Sequence, residues 1–152
     1  MSIKPTTARN VLIALLLFLG VSAMAGGFIL IISPSGKLLG GLPLSILAHS
    51  PFSDFLAPGM ILFLILGLSP CVICLALIRK PTNRLAEYFN LFKDMHWAWS
   101  YGIYVAFALI IWIQVETIYV RGVGWLQSFY LLYALPIIFV SLLPEVRTIY
   151  KK

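Results

Sequence analysis

Two groups of residues in this chain have the types and spacing to do chemistry. The first is polar and runs from Gln114 to Tyr130. Gln114, Thr117 and Arg121 recur at i, i+3 and i+7, so they share one face of a helix, and Glu116 lies about a turn from its end. Across a short connection, Gln127 and Tyr130 open the next apolar segment. A carboxylate inside hydrocarbon is costly, so by default it marks a functional group with a partner, here Arg121 or Lys37. Such a cluster would bind a lipid head group or a small polar molecule, with Trp112, Trp125 and Tyr130 as walls. The plainer account is a hydrogen-bonded hairpin that pins two helices while Glu116 snorkels to water.

The second group is Cys71 and Cys74, the only cysteines, in Ser69-Pro70-Cys71-Val72-Ile73-Cys74. A vicinal thiol pair can cycle with a disulfide, but no charged neighbour in sequence lowers a thiol pKa, and two thiols fall short of a zinc site. Buried small hydrophobes are the plainer reading. His49 stands alone and reads as a surface side chain. Asp94 and His96, one residue apart before Trp97 and Trp99, could handle a proton, yet they fit an interfacial boundary with aromatic anchors better. No catalytic residue, metal or cofactor is expected.

Composition dictates which elements carry these groups. Of 152 residues, 61% are hydrophobic and 11% charged, and the mean hydropathy is +1.00. Soluble domains run about 45–50% apolar and about 25% charged. A cytosolic enzyme, a secreted disulfide scaffold and a disordered tail are excluded. No charge falls between Arg9 and Lys37, Asp54 and Arg79, Asp94 and Glu116, or Arg121 and Glu145. Each gap holds one stretch of the roughly 20 apolar residues that cross a bilayer. The expected spans are 11–33, 57–78, 97–119 and 125–143, in a single domain over 1–152. Val21-Ser22-Ala23-Met24-Ala25 resembles a signal-peptide cleavage site, but apolar character continues through Ile32, too far for an ordinary signal. A barrel would need apolar–polar alternation, which these runs lack. The fold class is all-α, a membrane-embedded four-helix bundle.

Nine of the eleven basic residues fall at the N-terminus (Lys4, Arg9), between spans 2 and 3 (Arg79, Lys80, Arg84, Lys93) and in the C-terminal tail (Arg147, Lys151, Lys152). By the positive-inside rule both termini are cytoplasmic. The net charge of +6 is thus a topology signal, and no nucleic-acid partner is expected. The segment 34–56 is too apolar for a solvated loop, and is expected to lie in the outer interface or fold over the bundle with a short helix near 43–49. Ser53 and Asp54 look like the cap of helix 2, and Pro58 falls in its first turns. Leu85, Tyr88, Phe89, Phe92 and Met95 form an amphipathic stripe opposite Arg84, Glu87, Asn90 and Asp94, which predicts a flat cytoplasmic helix. Ala23 and Gly27 offer small-xxx-small packing, and Pro136 should kink helix 4.

Two resemblances can be set beside this reading. The Cys71/Cys74 pair resembles that of the quinone-linked disulfide oxidoreductases, including the vitamin K epoxide reductase and disulfide-bond-forming families. Those need a second cysteine pair, absent here, and this pair falls near the reducing side. More of the chain resembles an uncharacterised family of small four-span bacterial integral membrane proteins. The motifs are Ser33-Pro34-Ser35-Gly36, Ser50-Pro51-Phe52-Ser53-Asp54-Phe55, Trp112-Ile113-Gln114-Val115 and Trp125-Leu126-Gln127. That resemblance implies a multi-pass protein of the bacterial inner membrane and supplies no mechanism. The expectation is a non-enzymatic protein that binds a lipid or small molecule, or acts as an accessory subunit, alone, as a homo-oligomer or with a membrane-protein partner. The alternatives are a thiol oxidoreductase using Cys71 and Cys74, or one protomer of an oligomeric transporter.

Overall fold

The computed structural model describes residues 4–122 and 124–152. Among the described residues six helices follow in order: α1 Pro5–Ile32, α2 Leu56–Arg79, α3 Arg84–Tyr88, α4 Trp97–Val120, α5 Trp125–Leu142 and α6 Pro144–Tyr150. Two short 3₁₀ turns, Lys37–Leu39 and Leu44–Leu47, lie between α1 and α2. Helices α1, α2, α4 and α5 are each long and apolar enough to cross a membrane. The all-α bundle and its four long helices are as the sequence predicts.

Helix α1 starts six residues earlier than expected. Pro5 presets the helical φ at the first turn, and the buried positions Ala8, Leu12, Leu16 and Leu19 run straight through the basic N-terminal residues. Arg9 therefore lies inside the helix. Helices α1 and α2 approach closely because glycines meet there. A Cβ on Gly27 would sit 2.7 Å from the Phe63 nitrogen, and one on Gly67 would sit 2.5 Å from Met24 Cγ. Of the expected packing pair, Gly27 makes this contact. The middle of α2, Leu62–Leu68, is a π-helix, and the Ser69 hydroxyl donates to the Leu64 carbonyl at 2.9 Å. Helix α5 runs unbroken through Pro136 to Leu142.

Side-chain to backbone bonds tie the helices together. Trp99 Nε1 donates to the Ser141 carbonyl at 2.8 Å, the Tyr133 hydroxyl to Leu15 at 3.0 Å and the Tyr150 hydroxyl to Leu77 at 2.9 Å. Each aromatic brings a large apolar body and spends its one donor on a helix carbonyl.

The end of the bundle that holds the start of α1 and the C-terminal tail is closed by a clasp, and here the flat helix needs correction. Helix α3 has only five residues. Asn83 caps it, its side chain accepting from the Leu85 and Ala86 amides. Asn90 then stops the helical run, because its amide competes for backbone partners. It is 1% exposed, not solvated. It donates to Met95 O at 2.8 Å and to Glu87 Oε2 at 3.0 Å, and accepts from the Phe92 amide. The stripe is split as a result: Leu85, Tyr88 and Phe89 stay exposed, whereas Met95 is buried. The C-terminal tail pairs with the same loop. The His96 amide donates to Tyr150 O and the Lys152 amide to Asp94 O, and Lys152 forms an ion pair with Glu87.

At the opposite end, the segment after α1 folds back over the bundle as a lid. The Phe55 amide donates to Pro34 O at 3.0 Å and the Leu42 amide to Gly36 O at 3.1 Å. Gly36 holds φ +75°, and a Cβ there would meet Leu42 O at 2.7 Å, so this turn requires glycine. Leu47 and Phe55 are buried against Leu30 of α1. At the start of α2, Asp54 Oδ1 accepts from the Leu56 amide at 3.0 Å, and Phe55 is the boundary residue. Ser53 is exposed and makes no cap.

Candidate functional site, a lidded cavity

Beneath the lid lies a cavity of about 430 Å³, within the range of small-molecule sites. Helix α1 gives Ser22, Ala23 and Gly26 to one wall, and α2 gives Leu62 and Leu66 from its π-helical stretch. The facing wall is Trp112, Glu116 and Tyr119 of α4 with Gln127 and Tyr130 of α5. Leu39, Leu42, Leu47 and Phe52 of the lid form the roof. The lid's apolar run thus has a plain reason: it is the fourth side of a hydrophobic chamber.

The expected polar cluster is split by this geometry. Glu116, Gln127 and Tyr130 come together on the cavity, joined by Trp112. Gln114 and Arg121 are exposed. Thr117 spends its hydroxyl on the Ile113 carbonyl at 2.8 Å, a bond within its own helix. Arg121 ends α4 in the left-handed conformation at φ 52°, and Trp125 is 77% exposed and forms no wall. Neither Arg121 nor Lys37 pairs with Glu116: among the described residues, the one ion pair is Lys152–Glu87. The Trp112 indole N–H, buried and without a hydrogen-bond partner, lies beside the Glu116 carboxyl. Gln127 Oε1 accepts from the Gly124 amide at 3.0 Å and so fixes the start of α5.

The cysteines are elsewhere. Cys71 Sγ lies 3.9 Å from Met24 Sδ, and Cys74 Sγ donates to the Ile13 carbonyl at 3.4 Å, so both pack in the α1–α2 interface as free thiols. Neither lines the cavity. Among the described residues no group of three His, Cys, Asp or Glu side chains could hold a metal ion. His49 is exposed on the lid.

His96 does not pair with Asp94. It caps α4, its Nδ1 accepting from the Ala98 amide at 3.2 Å. Its Nε2 is buried and lacks a partner, with the Pro81 and Lys80 carbonyls close by but outside hydrogen-bond geometry. Burial holds the ring below its ordinary pKa, and the nearby Glu87 charge restores only part of the loss. Burial also pulls Glu87 upward, but hydrogen bonds from Lys152, Asn90 and the Trp97 amide outweigh it and leave the carboxyl below its usual range.

Sequence reasoning missed the α1 and α2 walls. The signal was present in Ser22, Ala23 and Gly26, which lie on one face of α1. Small residues at that spacing read as a helix contact, whereas here they leave space.

Fold and site together define an all-helical bundle of four membrane-length helices with an apolar cavity under a lid formed by the segment between the first two. No protein-family model, curated protein or solved structure matches the chain.

Proposed function

We propose that this is a non-enzymatic, multi-pass protein of the bacterial inner membrane that binds the apolar part of a lipid or small amphipathic molecule under its lid. The observation that carries the reading is the cavity itself: about 430 Å³, walled by all four long helices and roofed by leucines and phenylalanines. A chamber of this size lined by apolar groups gains by burying a guest that reaches it from water, at about 25 cal/mol per Å² of apolar surface removed from water. Glu116, Gln127, Tyr119 and Tyr130 supply the few polar groups that would orient that guest. The basic residues gathered at the end that holds the termini support a cytoplasmic placement of that end, with the lid on the outer side.

Gly26 gives a clean test. It lines the cavity, and an added Cβ meets only Leu62 Cδ2 at 3.5 Å, so a larger side chain can enter without moving backbone. Native mass spectrometry of wild-type protein released from its own membranes should show a bound lipid-sized molecule. The Gly26→Leu variant, folded equally well, should have lost most of it. Equal occupancy in the two proteins, or none in the wild type, would overturn the proposal.

A further inference from the structure

Glu116 is the sole acidic residue in the four long helices. It lines a chamber whose other walls are almost entirely apolar. It has no ion pair, and the two cations of that end of the bundle, Lys37 and Arg121, are exposed. A half-buried carboxylate facing apolar walls without a cation is destabilised until a cation or a proton compensates it. Three aromatic side chains, Trp112, Tyr119 and Tyr130, share the same wall. Aromatic faces attract cations, by about 0.5–2 kcal/mol each as desolvation increases. The wall therefore places a carboxyl group and three aromatic rings together, above a hydrocarbon-like floor formed by Leu19, Leu62 and Leu66.

We infer that the guest of this cavity is a lipophilic amine or ammonium ion, its cationic head held by Glu116 and the aromatic wall and its chain lying along α1 and α2. The inference rests on the cavity-binding reading and adds the charge of the guest. An anionic head group would face Glu116 with no cation of the cavity to offset the repulsion. A neutral one would leave a proton as the sole compensation for the Glu116 carboxyl. Trp112 Nε1, buried and unpartnered, leaves a free donor on the same wall as Glu116.

Three probes of equal chain length separate the possibilities: decyltrimethylammonium, decanol and decanoate. Each is titrated into the full chain in zwitterionic nanodiscs and followed by tryptophan fluorescence, with empty discs subtracted. The wild type should bind the ammonium at least about tenfold more tightly than the alcohol, the equivalent of one compensated charge and its ring contacts. In Glu116→Gln that preference should vanish while decanol binding is unchanged. If decanol or decanoate binds the wild type as tightly as the ammonium, or if Glu116→Gln keeps the preference, the inference fails and the cavity reading stands. If no probe binds, or Gly26→Leu binds all three like the wild type, the cavity reading itself fails. The wild-type comparison decides alone should Glu116→Gln not fold.

Discussion

Residues of one kind do opposite things at the two ends of this molecule. Glu116 stands without a cation in an apolar chamber, whereas Glu87 is bonded by Lys152, Asn90 and the Trp97 amide. Only the second is a structural carboxylate, and its neighbour His96 makes the same clasp sensitive to acid. Both groups have folded pKa values below their ordinary ones. The unfolded clasp therefore binds more protons as pH falls, so the stability they contribute is complete above about pH 6.5, the ordinary value for histidine. It is lost in two stages as pH drops through the folded value of His96 and then that of Glu87. Protonating His96 at Nδ1 also removes the acceptor that caps α4. Hydrogen exchange of the His96 and Lys152 amides, corrected for intrinsic rates, should show protection declining on acidification from pH 7 toward 4. Protection independent of pH over that range would contradict the assignment.

Elements were legible where one periodicity ruled and illegible where side chains competed with it. The four long helices announced themselves because an apolar run without the alternation of a barrel strand satisfies its backbone in hydrocarbon only as a helix. Helix α3 did not, since the stripe from Leu85 to Met95 is sound as a pattern but Asn90 draws the chain into a turn that no pattern of apolar residues encodes. The lid lay between these cases. Its greasy run and turn residues predicted a segment folded on the bundle, and Gly36 at φ +75° realises one of those turns. What it would cover could not be read, because the cavity is an absence of side chains. Ser22, Ala23 and Gly26 look the same in sequence whether a helix or a space lies against them. For the same reason the six polar residues from Gln114 to Tyr130 read as one cluster, whereas Glu116, Gln127 and Tyr130 line the cavity, Gln114 and Arg121 are exposed, and Thr117 bonds within its own helix.

At the scale of the whole molecule, the two ends have different tasks. One gathers both termini, most of the basic residues and the clasp. The other carries the lid, the cavity and Glu116. A membrane between them would place the cavity's opening region at the outer surface if the basic end is cytoplasmic. Single cysteines at Ser45 on the lid and at Thr82 beside the clasp, in a Cys71→Ala/Cys74→Ala background, test this with an impermeant thiol reagent on intact cells. Position 45 should label and position 82 should not. The reverse pattern would invert the topology.

Every functional reading of this molecule depends on whether the space beneath the lid holds a guest. The most direct test is a density map of the protein taken from its native membrane without added ligand. Elongated non-protein density should lie between Trp112 and Leu62, with one end against Glu116. A cavity closed by inward movement of the lid, or filled only by ordered water, would contradict it.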